Sequence, residues 1–123
     1  MNNLMKDKRG LVMGVANDKS IGWGIAKAIA DQGGELAFTY QGEALKKRVI
    51  PLADSVNSDI VLPCDVSNDE DIDNTFNELK KVWPKIDFLV HAIAFSDKDE
   101  LKGEYIDTSR ENFINTMDIS VYS

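Results

Sequence analysis

The residues best suited to hold a ligand form one stretch, Gly14-Val15-Ala16-Asn17-Asp18-Lys19-Ser20-Ile21-Gly22-Trp23-Gly24. The apolar run Leu11-Val12-Met13 precedes it, and apolar residues recur at helical spacing from Gly24 to Ala30. A strand therefore turns through a glycine-rich loop into a helix. The first N–H groups of a helix have no intrahelical partner, and about half a positive charge gathers there. That end suits a phosphate, and glycine lets the backbone come close to it. The chemistry on offer is dinucleotide binding, weighed against a plain connecting turn. A strict G-x-G-x-x-G is absent, because Lys27 stands at the third position and Gly14 lies far upstream.

No other grouping offers catalysis. Cys64 is the one cysteine, so no intrachain disulfide can form and a reducing compartment fits. It closes an apolar run, where a buried, inert thiol is expected. His91, the one histidine, lies near a strand end and reads as a core histidine rather than a catalyst. No cluster of Cys and His accompanies it, and no metal site is expected. Asp97, Asp99, Glu100, Glu104 and Asp107 read as a solvated loop.

The elements that must position the glycine loop alternate strand and helix, the mark of a parallel sheet. Gly33-Gly34 stops the first helix, and Leu36 to Tyr40 forms a second strand. A helix over about Ala44 to Ser55 follows, with Leu45, Val49, Leu52, Ala53 and Val56 on one side and a break or kink expected before Pro51. The third strand is Ile60 to Cys64. Ser67-Asn68-Asp69-Glu70 then reads as a capping box for a helix with Ile72, Phe76, Leu79 and Val82 inward, ended by Pro84. The fourth strand, Phe88 to Ile93, is apolar nearly throughout, as where helices cover both faces of a sheet. Thr108-x-x-Glu111 repeats the capping spacing and opens a last helix with Phe113, Ile114, Met117 and Val121 inward. No glycine or proline ends that helix before Ser123, so the chain reads as cut short there.

The chain has 123 residues, enough for one domain with a real core. Its net charge of −7 argues against nucleic acid and membrane surfaces, which call for lysine and arginine. The N-terminus lacks the apolar core of a signal peptide, and no apolar run approaches the roughly 20 residues of a membrane span. A cytoplasmic protein is expected.

With the strands placed, the chain resembles the N-terminal half of the bacterial enoyl-acyl-carrier-protein reductases of fatty-acid synthesis, a divergent branch of the short-chain dehydrogenases. The resemblance covers essentially the whole chain. It rests on Gly14-Val15-Ala16 with Ser20-Ile21 and Gly24, on Leu36 to Gln41, on Asp59 to Leu62 with Cys64-Asp65-Val66, and on Val90 to Phe95. Ordinary short-chain dehydrogenases place two further glycines close behind the first, and the longer loop ending in Ser20-Ile21 marks this branch.

The resemblance implies an α/β fold, a doubly wound parallel sheet of the Rossmann type in three αβα layers. Residues 1–123 would be the N-terminal part of one NAD-binding domain, incomplete at its C-terminus. Gly14 and the Ser20-Ile21 backbone would hold the pyrophosphate, the Ser20 hydroxyl adding a donor. Gln41 stands where many NAD enzymes carry an acid for the ribose, and neither neighbour is basic. NADH is favoured over NADPH, with Lys19, Lys46, Lys47 and Arg48 close by in the sequence. Asp65 and Val66 would frame the adenine, the carboxylate accepting from its exocyclic amine. Ile93 would line the cofactor together with Ala94, which stands where many relatives have glycine, and the Ser96 backbone would lie by the substrate.

The family implies reduction of a trans-2-enoyl thioester at its β-carbon. A tyrosine supports the enolate and a lysine seven positions on holds the ribose. Tyr40 and Lys47 match that spacing by accident, since Tyr40 ends a strand, and the working pair is expected beyond Ser123. No catalytic residue is therefore assigned in this chain. Enoyl-acyl-carrier-protein is the implied substrate, docking mainly on basic residues outside this acidic half, and a homotetramer is implied for the complete enzyme. Two alternatives stay open: a carbonyl-reducing short-chain dehydrogenase and a non-catalytic nucleotide-binding domain.

Overall fold

A computed structural model describes residues 3–123. The described residues divide into two compact units, one ending at Ala92 and one running from Ile93 to Ser123, and each is described by itself.

The first unit holds four parallel strands in the order β3-β2-β1-β4. They are β1 (Arg9–Met13), β2 (Glu35–Tyr40), β3 (Val61–Pro63) and β4 (Phe88–His91). Three helices join them: α1 (Ile21–Asp31), α2 (Glu43–Ser55) and α3 (Asp69–Val82). The chain winds outward from β1 to β3 and then returns to the other side of β1. This doubly wound order is that of a Rossmann fold, and its reversal lies between β1 and β4.

Period-two alternation explains the packing. Val12, Leu36 and Phe38 join Trp23 and Ala26 of α1 and Val49 and Ala53 of α2 in one buried cluster. The alternate residues Leu11, Met13 and Ala37 are buried as well, so the central strands are covered on both faces. Gly10 in β1 has no side chain because the ring of Phe88, its partner in β4, takes that space. The helix stop at Gly33-Gly34 is as expected. Gly33 has a φ of 91°, and the N–H groups of Gly33 and Gly34 close on the carbonyls of Ala30 and Ile29 at 3.0 Å each.

Several local expectations give way. The second helix runs unbroken through Pro51, which is itself exposed. Asn68 caps α3, accepting from the Asp71 N–H at 3.2 Å, because Ser67 turns instead to Asp65. Val82 is exposed, and Thr75, Leu79 and Trp83 are the buried residues at that helix. β4 ends at His91, pairs among the described residues only with β1, and leaves Leu89 48% exposed rather than covered on both faces.

The second unit carries two 3-10 turns (Lys98–Leu101 and Tyr105–Asp107), helix α4 (Arg110–Met117) and a π turn (Asp118–Tyr122). Ser109 caps α4, accepting from the Asn112 N–H at 3.0 Å, one residue later than the capping spacing had implied. The residues expected inward, Phe113, Ile114, Met117 and Val121, are all exposed, and no residue of this unit is buried. Too few apolar groups face them within these residues to make a core.

Candidate functional site

The glycine loop is held by its own side chains. Gly14 leaves β1 with a φ of 107°, a region that L side chains avoid. Six residues on, the Ser20 hydroxyl oxygen accepts the N–H groups of Ala16 and Asn17, each at 3.0 Å. Asn17 in turn accepts the Lys19 N–H on its side chain at 2.8 Å and the Ser20 N–H on its carbonyl at 3.2 Å. With both acceptor positions of its oxygen filled, the Ser20 hydroxyl can offer only its hydrogen. Its oxygen is the staple of the loop, a role that the sequence did not disclose.

Helix α1 starts directly behind. Its first internal bond runs from the Gly24 N–H to the Ser20 carbonyl at 3.1 Å, so the N–H groups of Ile21, Gly22 and Trp23 precede the ladder. Ile21 is 82% exposed, whereas Trp23 is buried with its ring 6.2 Å from that of Phe38. A Cβ on Gly22 would meet that of Ala92 at 3.4 Å, an ordinary contact, so neither strain nor crowding demands glycine there.

The other sequence-derived residues of this unit follow the same ends of neighbouring strands. Gln41 is exposed directly after β2, ahead of Gly42 with a φ of 87°. Lys46 places its ammonium 5.8 Å over the Tyr40 ring, while Lys47 is exposed. Past β3, Oδ1 of Asp65 accepts the N–H of Ser67 at 3.0 Å and its hydroxyl at 2.6 Å, and the Asp65 N–H donates to Asp71 at 3.0 Å. Asp65 thus builds the turn, and Val66 beside it is half-buried. Because parallel strands share direction, Gly14, Ser20, Ile21, Gln41, Asp65 and Val66 gather at the carboxyl end of the sheet, where open α/β sheets bind ligands.

Cys64 is buried, and that burial pushes its thiol above the usual range, with the neighbouring Thr75 hydroxyl acting the other way. A thiol held protonated is no nucleophile. His91 is exposed at the end of β4. Among the described residues no group of three or more His, Cys, Asp and Glu could hold a metal ion, and no helix is long and apolar enough to cross a membrane.

In the second unit Ile93 is half-buried, and Ser96 accepts from the Asn112 side-chain amide at 3.1 Å and the Thr116 hydroxyl at 3.2 Å. The loop acids are less idle than a solvated stretch would be. Glu100 accepts the Ser109 N–H at 2.6 Å and the Thr108 hydroxyl at 3.2 Å, and the first of these holds its carboxyl below the usual range. A cavity of about 460 Å³ opens beside them, lined in part by Ser96, Leu101, Tyr105, Asn112, Phe113 and Met117. Sequence reasoning missed Asn112, Thr116 and Ser120. Their spacing of four residues was the available signal, hidden because the apolar residues between them claimed the inward face.

Comparison with known proteins adds the following. A family model described as Enoyl-(Acyl carrier protein) reductase matches residues 14–123. Enoyl-[acyl-carrier-protein] reductase [NADH] 2 of Rhizobium meliloti is 63% identical over 123 residues, all of this chain and 46% of that protein. The crystal structure of the Anaplasma phagocytophilum enoyl-acyl-carrier-protein reductase in complex with NAD is 55% identical, with a TM-score of 0.95 over 99% of this chain and 47% of that one. The Bacillus cereus enzyme, solved with NADP+ and indole naphthyridinone, is 44% identical with a TM-score of 0.94 over 98% and 48%. The chain spans about half the length of the curated relatives it matches.

Proposed function

The chain belongs to the enoyl-acyl-carrier-protein reductase family, a branch of the short-chain dehydrogenases, and from that premise we propose that it supplies the cofactor-binding part of an NADH-dependent reductase. The proposed reaction is reduction of the double bond of trans-2-enoyl-acyl-carrier-protein in fatty-acid elongation. When bound, NADH supplies the hydride for that double bond.

The observation that carries this reading is the stapled loop. A positive-φ glycine, a serine with only its hydrogen to give, and helix amides ahead of the first internal bond supply a set of donors directly behind β1. Donors of this kind fit a diphosphate. In the proposed complex Gly14, Ser20 and Ile21 hold the pyrophosphate, Gln41 the ribose, Asp65 and Val66 the adenine, and Ile93 the nicotinamide side, with Ser96 by the substrate. Gln41 carries no charge to repel or attract a 2′-phosphate, and Lys46 is engaged with Tyr40, which supports NADH over NADPH. The same reading makes residues 1–123 part of one NAD-binding domain of a cytoplasmic homotetramer.

Calorimetric titration of the intact protein tests it. NADH should bind more tightly than NADPH, and a crotonyl thioester should be reduced while simple ketones are not. Absence of NADH binding overturns the reading, and reduction of ketones alone would make the protein a carbonyl reductase.

A further inference from the structure

We propose that Asn112, Thr116 and Ser120 are positioning residues that hold Phe95-Ser96-Asp97 in place for the substrate. The proposal rests on the reductase function above, and on a pattern of hydrogen bonds confined to the second unit.

Phe95, Ser96 and Asp97 have no regular secondary structure, so their backbone groups have no ladder to join. Side chains take its place. The Asp97 N–H donates to Oδ1 of Asn112 at 3.1 Å, and Nδ2 of Asn112 donates to the Ser96 hydroxyl at 3.1 Å and to that of Thr108 at 3.0 Å. Thr116 donates to the same Ser96 oxygen at 3.2 Å, its nearer acceptor, Oδ1 of Asn112 being 3.5 Å away. Ser120 accepts the Phe95 N–H at 3.0 Å and returns its own hydrogen to the Phe95 carbonyl at 3.3 Å.

The three side chains recur every four residues along α4 and the π turn behind it, which places them on one face. The polarity of the element is inverted. Asn112, Thr116 and Ser120 are half-buried, whereas Phe113, Ile114 and Met117 are exposed. An ordinary surface helix turns its polar residues to water, so this stripe is placed to grip the segment and not merely to be hydrated. π turns of this sort are rare, and here the Ser123 N–H reaches back five residues to the Asp118 carbonyl at 3.0 Å.

The grip has a chemical outcome. With Asn112 and Thr116 filling both acceptor positions of the Ser96 oxygen, that hydroxyl is left with one hydrogen to give. It becomes a fixed donor suited to an acceptor oxygen of a thioester substrate. A first partner held by packed second partners is how sites keep their geometry within about 0.5 Å.

The test uses the intact protein with Asn112→Ala, Thr116→Val and Thr116→Ser. For the first two, KM for a crotonyl or longer enoyl thioester should rise about tenfold, the scale of a small misplacement. The Kd for NADH should stay within about twofold, a split that general destabilisation would not give. Thr116→Ser keeps the hydroxyl and should restore KM. Amide exchange at Asp97 should quicken in Asn112→Ala. An unchanged thioester KM, a parallel loss of NADH affinity, or unaltered exchange at Asp97 overturns the proposal. If the unsubstituted protein reduces no enoyl thioester, the reductase function falls and the stripe's role falls with it. If it does, a flat KM in the variants overturns the stripe alone.

Discussion

The two units solve the problem of holding a loop in opposite ways. Around Gly14 to Ser20 the backbone is pinned between a strand buried from Gly10 to Met13 and a helix that buries Gly22, Trp23 and Ala26, so hydrophobic burial fixes the frame and one hydroxyl finishes it. Around Phe95 to Asp97 no residue is buried, and side-chain hydrogen bonds carry the whole task. Burial scales with apolar area and tolerates exchange among polar neighbours. A polar network depends on each member, since removing one strands its partner. The first loop should therefore be sensitive to volume and backbone conformation, and the second to single polar atoms.

The largest expected effect follows from that contrast. Phe38 is fully buried in the first unit, and Phe38→Ala should cost about 3–5 kcal/mol as a cavity opens beneath β1 and β2. Phe113 has the same side chain but is 44% exposed, and Phe113→Ala should cost about 1 kcal/mol or less. Urea unfolding of the two variants of the intact protein, followed by tryptophan fluorescence, measures both. Equal losses would mean that burial does not separate the units.

A smaller effect separates strain from function. Gly14 and Gly103 both have positive φ, 107° and 82°, so alanine at either should cost on the order of 1–2 kcal/mol. Only Gly14→Ala should also weaken NADH binding, by tenfold or more, because only that backbone is proposed to meet the diphosphate. Titration of both variants with NADH checks the difference. Equal affinities would remove Gly14 from the site.

What was legible in the sequence follows the same division. The strands and helices of the first unit could be read because their apolar residues follow periods of two and 3.6, and burial enforces those periods. The glycine loop was visible through Gly14 and Ser20, but the staple was not, since a hydroxyl bridging to residues four and three positions back leaves no pattern. At Ser67 and Thr108 the capping spacing was present, yet each hydroxyl found a carboxylate nearby, at Asp65 and Glu100, and the next residue became the cap. The inward face of α4 was misjudged because apolar spacing marks a face without saying whether anything covers it. There the polar residues do the holding.

Cys64 offers a pH test confined to the first unit. Burial raises its thiol, so the folded state keeps a proton that the unfolded chain gives up near the usual value of about 8.5. Its contribution is fully present below that pH and is lost as pH rises through the raised folded value. Stability of the intact protein should fall more steeply above about pH 8.5 than in Cys64→Ala, as read from denaturation midpoints. Identical slopes would show that the thiol is solvated.

The smallest expected effect lies in the second unit and has the opposite sign. Glu100 is held below its ordinary value chiefly by the Ser109 N–H, so its contribution is present above the unfolded carboxylate value of about 4.3 and disappears as pH falls through the lower folded one. Glu100 is half-buried in a unit with no buried residue, and its release should be local rather than global. Amide exchange at Ser109 should then quicken on acidification in the unsubstituted protein, after allowance for the intrinsic pH dependence. In Glu100→Gln the same amide should exchange faster at neutral pH and show no further acid step, because the neutral amide is a weaker acceptor. The strands of the first unit should be indifferent to both changes. An acid step that survives Glu100→Gln would assign the transition to another carboxylate, and one that spreads to β1 would deny the independence of the two ways of holding a loop.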